Sequence, residues 1–481
     1  MRENFVPLVW SKHYTKVVVV YTILLFVAFI FFYRDQMVHP IWIAFTLFIV
    51  FWYFITLTQY SAWWQWYSDE KFQKKLFWHS FGYRLVTGLI IMVVSQATWD
   101  SPVYVGAVDA KTYHQIAIQA AEQFSRFNFV EGFNLTHLGE IDNSGPGVFY
   151  GILYIFTGGF YTSSIIFGSL IGALSVVYLY KTARIIWGEA IGRASGLMYM
   201  HFPLALFYST VTLKEGIVAV FIIIIAYIIT RAINKMNLTL AHLLVLIASL
   251  ISLFLFRTAV GLGCLMLVTT AFLVNRYRGS FIVSIFIGLF SVGAFFWVMY
   301  SIGEIEYFIQ EAGTATTVGQ QRTIELLGSD EIDIIGVSIT DLALFPIYII
   351  AAVFAPFPGF VEVGTVFNTP FDHNYMNAPG RLIWNVLAYF SVIGFWYAIR
   401  DKLMNSLFVW GFSAGYLLIL IITVTFTRER FAFLGMPLLL ILATVGIYRT
   451  RSNTLWYIYL CGLLAVVIFW NYLRLSTRGL F

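Results

Sequence analysis

The sequence predicts an all-α polytopic membrane protein of about 13 transmembrane helices, with short juxtamembrane helices along its outer side. Three observations lead there. The chain is 60% hydrophobic and 11% charged, with mean hydropathy +0.81, and a soluble domain has no interior that hides so much apolar surface. Apolar runs of about 17–22 residues recur along the whole chain, each long enough to cross a bilayer as a helix. One long polar stretch, residues 99–146, stands out against them.

In chain order, the apolar runs place spans at 17–33, 40–58, 83–98, 163–180, 190–207, 216–230, 240–256, 259–274, 281–300, 382–399, 403–425, 431–448 and 455–472. The first run follows Lys12 and Lys16 and has no small-residue cleavage site, so it reads as a retained anchor. Cys264 and Cys461 both fall inside apolar runs, which argues against a disulfide framework or a cysteine metal site. Two apolar pieces, 148–157 and 342–355, are too short or wrongly placed to span. They read as juxtamembrane or re-entrant helices on the outer side.

Orientation follows the distribution of basic residues. With the N-terminus inside, about 18 of the 29 Lys and Arg lie on the inner side, among them Lys71, Lys74, Lys75, Arg184, Arg231 and Arg400. The organisation is then an N-terminal hairpin plus entry helix (1–98), a first large outer loop with amphipathic helices (99–162) and a transmembrane bundle (163–300). An outer loop region with a re-entrant helix (301–381) and C-terminal transmembrane helices (382–481) complete it. The 301–341 part is acidic, with Glu304, Glu306, Glu311, Glu325, Asp330, Glu331 and Asp333 around the run GTATTVGQQ. That composition suggests a mobile loop able to close over a bound molecule. The first hairpin has a short outer connection and is expected to be peripheral to any active site.

Within the polar stretch, Tyr113, Ile116, Ala117, Ala120, Ala121 and Phe124 recur at helical spacing, with Gln115, Gln119, Glu122, Gln123 and Arg126 on the other face. This pattern predicts an amphipathic helix on a membrane surface. Asp109 stands at its N-terminal end. Two roles are compatible with that position: capping of the helix, or a carboxylate facing a cleft.

The outer side also collects Lys214, Glu215, Arg257, Asp372, His373, Arg428 and Arg430. Each has a plainer reading. Thr212 to Glu215 forms a capping box for the next span, Lys214 meets headgroups, Arg257 is a solvated turn, and Arg428 and Arg430 pair with Glu429. Charge at the edge of a bilayer is costly and defaults to a functional hypothesis. Arg and Lys at headgroup level can hold a phosphate, and a nearby carboxylate can take a proton from an attacking hydroxyl. Together they suit displacement of a phosphate from a lipid carrier. The chain has no glycine-rich phosphate loop of the nucleotide-enzyme kind, as a lipid-borne donor would allow.

Three places then resemble the GT-C superfamily of integral membrane glycosyltransferases, nearest its protein mannosyltransferase and lipid A aminoarabinose transferase branch. They are Asp109-Ala110 with Tyr113 leading into a helix, the run FPLALFYS from Phe202 followed by Lys214-Glu215, and Arg428-Glu429-Arg430-Phe431 entering a Pro-containing span. The likeness covers about residues 100–448. It implies a GT-C-like fold and inverting transfer of a sugar from a polyprenyl-phosphate carrier to a glycan, lipid or protein acceptor on the outer face. Asp109 would be the catalytic base, and Lys214, Arg257, Arg428 and Arg430 would bind the donor phosphate. Glu215, Tyr113, His114, Asp372 and His373 would bind substrate or form a second acidic site. Asp109 and Glu215 would be the carboxylates for a divalent cation, magnesium or manganese. The partners are the lipid-linked sugar, its acceptor and the bilayer, with no nucleic acid. The implied location is a bacterial inner membrane with a periplasmic or extracellular active side. Two features depart from the family: a hairpin precedes the entry span, and Val108 stands where a second acidic residue is typical. Two other functions suit the same sequence: a polysaccharide polymerase or ligase using lipid-pyrophosphate glycans, and a flippase or transporter of lipid-linked sugars.

Overall fold

The computed structural model describes residues 9–104, 108–136, 143–276, 352–361, 373–422, 429–450 and 452–476. Among these, all regular structure is helical apart from one isolated bridge between Met37 and Val361. The helices are α1 (Lys12–Tyr33), α2 (Pro40–Trp64), α3 (Asp69–Trp99), α4 (Val108–Ser125), α5 (Phe129–Thr136), α6 (Ser144–Thr157) and α7 (Tyr161–Trp187). They continue with α8 (Glu189–His201), α9 (Pro203–Tyr208), α10 (Lys214–Ile233), α11 (Leu240–Phe256) and α12 (Thr258–Arg276). The last are α13 (His373–Lys402), α14 (Leu407–Ile422), α15 (Glu429–Ala432), α16 (Met436–Arg449) and α17 (Thr454–Ser476).

Seven of the described helices are long and apolar enough to cross a membrane: α1, α2, α3, α7, α10, α13 and α17. Helices α11, α12, α14 and α16 are apolar but shorter. In lipid a backbone must satisfy its own polar groups, which is why apolar runs of this length become helices. The expected span at 281–300, the loop at 301–341 and most of the apolar piece 342–355 lie outside the described residues.

The expected span at 190–207 is interrupted. Helix α8 ends at His201, Phe202 is extended (φ −65°, ψ 117°), and α9 restarts with Pro203 in its first turn. Proline disfavours a helical conformation at the residue before it and suits the first turn of the helix that follows.

The chain forms two compact units. The first comprises Met1–Val9, Tyr60–Arg278 and Asp401–Phe412. Ser68 caps α3 by accepting from the Lys71 amide, with Asp69 and Glu70 in the first turn. At this end of α3, Arg184 pairs with Asp69 (2.5 Å) and Glu189 (2.7 Å), and Arg193 donates to the carbonyls of Trp64 (2.8 Å) and Tyr67 (2.7 Å). Further along α3, at Gly88, the 208–213 segment is pressed between helices. A Cβ on Gly168 of α7 would collide with the Ser209 carbonyl, and one on Gly216 of α10 with the Tyr208 carbonyl. Small residues let backbones approach this closely, and the approach sets where the first residues of α10 stand.

Helix α4 buries the expected face: Tyr113, Ile116, Ala117, Ala120, Ala121 and Phe124 are all buried, and Gln115, Gln119, Glu122 and Arg126 are exposed. What covers that face differs from the expectation of a membrane surface. It packs on α6, where Gly151 leaves room for Ala120 and Phe124 and Gly147 for Ile116. Those glycines form a groove on α6, so burial is supplied by protein.

The second unit comprises Trp10–Gln59, Gly279–Arg400 and Ser413–Phe481. The first hairpin is held there by the C-terminal helix: Tyr33 Oη donates to the Ile468 carbonyl (2.7 Å) and Tyr14 Oη to Asn453 Oδ1 (3.2 Å). The 352–361 segment is tied down by Asn471, which accepts from the Phe360 amide (2.9 Å) and donates to the Pro358 carbonyl (3.1 Å). Helices α13 and α16 cross through Gly394 and Gly446. A Cβ on Gly394 would fall on the Leu442 carbonyl, and one on Gly446 on the Phe390 carbonyl. Gly394→Ala is therefore expected to destabilise the protein by about 1–3 kcal/mol, the usual cost of forcing a packed contact apart. Gly462→Ala, where a Cβ meets nothing within 4 Å, serves as the control and should be neutral or mildly stabilising. Thermal unfolding in detergent followed by intrinsic fluorescence compares the two.

Candidate functional site

The start of α4, the turn before α6, the start of α10 and the junction of α11 with α12 converge in the first unit. Asp109 is half-buried in the first turn of α4, where the helix dipole favours its charge. It is the second residue of the helix, not the residue before it, so capping in the strict sense is not its role. The carbonyl of the next residue, Ala110, accepts from Thr212 Oγ1 at 2.9 Å. Thr212 is thus spent on tying α4 to the segment before α10. The expected capping box is absent: Leu213 is the N-cap of α10 and no side chain caps it.

Lys214 and Glu215, the first two residues of α10, are both buried. Lys214 Nζ donates to Asn143 Oδ1 at 2.5 Å, and Tyr113 Oη donates to the same oxygen at 3.4 Å. Glu215 is 0% exposed and accepts from Arg257 Nη2 at 2.8 Å. Arg257 sits in extended backbone at the end of α11 (φ −161°, ψ 95°) with its side chain 16% exposed. It is an interior ion-pair partner, not the solvated turn its position between two apolar runs suggests. A buried carboxylate in an apolar surround keeps its charge only when a partner compensates it.

His114, one residue after Tyr113, lies on a different flank of α4. Its Nδ1 shares a 2.7 Å hydrogen bond with Tyr154 Oη, and its ring meets Tyr161 edge-on with centres 5.4 Å apart. Burial holds the imidazole below its ordinary value and pushes the Tyr154 phenol up to about 12. His114 is therefore neutral at pH 7. As pH falls through the ordinary histidine range near 6.5, the unfolded chain takes up a proton that the folded chain does not, so stability declines. His114→Asn should flatten this part of the decline between pH 7 and 5. Unfolding curves of both proteins over that range measure it, and equal pH dependence would show that His114 does not contribute.

The structure thus brings Asp109, Tyr113, Lys214, Glu215 and Arg257 into one region, and places His114 on its border. Arg430 is half-buried in α15 of the second unit, and His373 opens α13 there. Asp372 and Arg428 lie outside the described residues. One member of the region, Asn143, was not singled out from the sequence, and Thr212 was read there only as a cap for the next span. Asn143 lies in the run I-D-N-S-G-P, whose composition marks a turn, and nothing local announces the lysine it meets.

Among the described residues no group of three or more His, Cys, Asp or Glu side chains comes together, and one Glu215 oxygen is already engaged by Arg257. Compared with protein-family models and with curated proteins, the chain matches none.

Proposed function

We propose that the chain is an inverting glycosyltransferase that moves a sugar from a polyprenyl-phosphate carrier to a glycan, lipid or protein acceptor at the outer face of the membrane. The proposal includes a GT-C-like bundle of about 13 spans in a bacterial inner membrane, with the active side periplasmic or extracellular. One observation carries it: a half-buried carboxylate at a helix start stands in the same region as a buried lysine and a carboxylate-held arginine, gathered from three separate segments.

The chemistry follows from these groups. Asp109 accepts the proton of the acceptor hydroxyl. The freed oxygen attacks the anomeric carbon from the face opposite the phosphate, the bond from that carbon to the phosphate oxygen breaks, and the electron pair leaves on the phosphate. Lys214 and Arg257 stabilise the charge that develops there. Asn143 positions Lys214, and Glu215 positions Arg257. Sugar transfer from synthetic polyprenyl-phosphate hexoses by the purified protein in proteoliposomes tests the reading. Transfer that depends on the carrier phosphate is the expected result, and no product across a panel of carriers and acceptors would overturn it.

A second reading, a transporter of lipid-linked sugars, has an observation of its own. Arg84 is 0% exposed near the middle of α3, bonded through Nη1 to Ser80 Oγ (2.5 Å) and 5.8 Å from the Tyr199 ring centre. Its Nε and Nη2 find no hydrogen-bond partner among the described residues. Charge inside a membrane span commonly marks a transport path. Movement of the intact lipid-linked sugar across the same proteoliposomes, lost in Arg84→Gln, would favour this reading over transfer.

A further inference from the structure

At the N-terminal end of α3, Ser68, Glu70, Lys71, Lys74, Lys75, Trp78 and His79 line an open groove of about 630 Å³. Lys71, Lys74 and Lys75 are all exposed. Glu70 offsets one of them through a 2.7 Å pair with Lys74, and Lys71 is seated 4.5 Å over the Tyr67 ring. The same helix face continues through Trp78, 63% exposed, to the exposed Val86, Ile90 and Val93. One stripe therefore runs from three ammonium groups through an indole to bare aliphatic side chains. That order reproduces the layers of a bilayer leaflet: charged headgroup, interfacial aromatic, hydrocarbon.

We infer that this groove is a binding site for an anionic phospholipid, its phosphate held by Lys71, Lys74 and Lys75 and its acyl chains lying along Trp78, Val86, Ile90 and Val93. A phospholipid fits the whole stripe, whereas a soluble phosphate would use only its charged end. The groove is separate from the candidate functional site. That site shares no residue with the groove; it adjoins the 208–213 segment, which meets α3 at Gly88, about 14 Å along the helix axis beyond His79. The inference does not depend on the proposed transferase activity, only on α3 crossing the membrane.

The test uses purified full-length protein and native mass spectrometry with phosphatidylglycerol or phosphatidylcholine added in detergent. Wild type should retain phosphatidylglycerol in preference to phosphatidylcholine. The triple variant Lys71→Gln, Lys74→Gln, Lys75→Gln should bind phosphatidylglycerol on the order of 100-fold more weakly, from a factor of about 5 for each of the three lysines near a membrane surface. The corresponding Lys→Arg triple should retain binding, which guards against loss of fold. A control triple at exposed lysines elsewhere (Lys12, Lys16 and Lys235 to Gln) should leave the preference unchanged. Equal loss in both Gln triples would reduce the effect to overall charge and overturn the inference. So would displacement of the lipid by millimolar inorganic phosphate, which would assign the groove to a soluble anion.

Discussion

Asp109→Asn is expected to leave the protein folded and to reduce sugar transfer roughly 10²–10⁴-fold, the usual contribution of a positioned general base. The substitution is nearly isosteric. Asp109 lies in the first turn of α4, where removing its charge forfeits about 0.3–1 kcal/mol of interaction with the helix dipole. That is too little to unfold a helix whose buried face is locked onto α6. The asparagine cannot accept the acceptor's proton. The measurement is turnover in proteoliposomes beside a thermal unfolding curve of the same preparation. Near-normal turnover would remove Asp109 from the mechanism, and with it the base on which the transferase reading depends.

Arg257→Met is expected to have the largest effect on stability. It leaves the Glu215 carboxylate, which has no exposed surface, without the guanidinium 2.8 Å away. Removing one partner of a buried pair costs roughly 3–5 kcal/mol, because the remaining charge loses its ion-pair partner in a low-dielectric surround. Glu215→Gln placed in the same chain should recover most of that loss, since the amide carries no charge. The double variant also separates two roles of Arg257. If the arginine only supports the fold, the stabilised double variant regains transfer. If it also receives the leaving phosphate, stability returns and transfer does not. Unfolding in mixed micelles and turnover, measured on the single and double variants, decide between them.

Local periodicity made the helices readable. The apolar runs located α1, α2, α3, α7, α10 and α17 to within a few residues at their apolar cores, because a backbone in lipid has few ways other than a helix to satisfy its amides. The polar extensions were harder. Helix α3 begins at Asp69, well before the apolar run at 83, since protein contacts at that end stabilise turns that hydropathy alone does not credit. The amphipathic period of α4 marked its buried face correctly, but not the surface that would bury it. A 3.6-residue period demands an apolar partner and is silent on whether that partner is lipid or α6.

The residues of the candidate site were partly legible for a different reason. A charge beside a long apolar run is rare enough to be noticed wherever it stands, so Asp109, Lys214, Glu215 and Arg257 could be picked out one by one. Their pairing could not. Glu215 finds Arg257 across 42 positions and Lys214 finds Asn143 across 71.

By itself, then, the sequence determined that this chain is helical and fit for a membrane, which face of α4 is buried, and which charged residues are unusual. The tertiary structure alone decided that Thr212 ties down α4 instead of capping α10, that Arg257 is an interior partner, and that Asn143 joins the site. The physical reason is the range of the interactions. Hydropathy and helix periodicity act over a few residues and are written into consecutive positions. A buried ion pair or a shared carbonyl oxygen depends on where distant backbones come together, and here that is set by close approaches such as Gly168 and Gly216 against the 208–209 carbonyls.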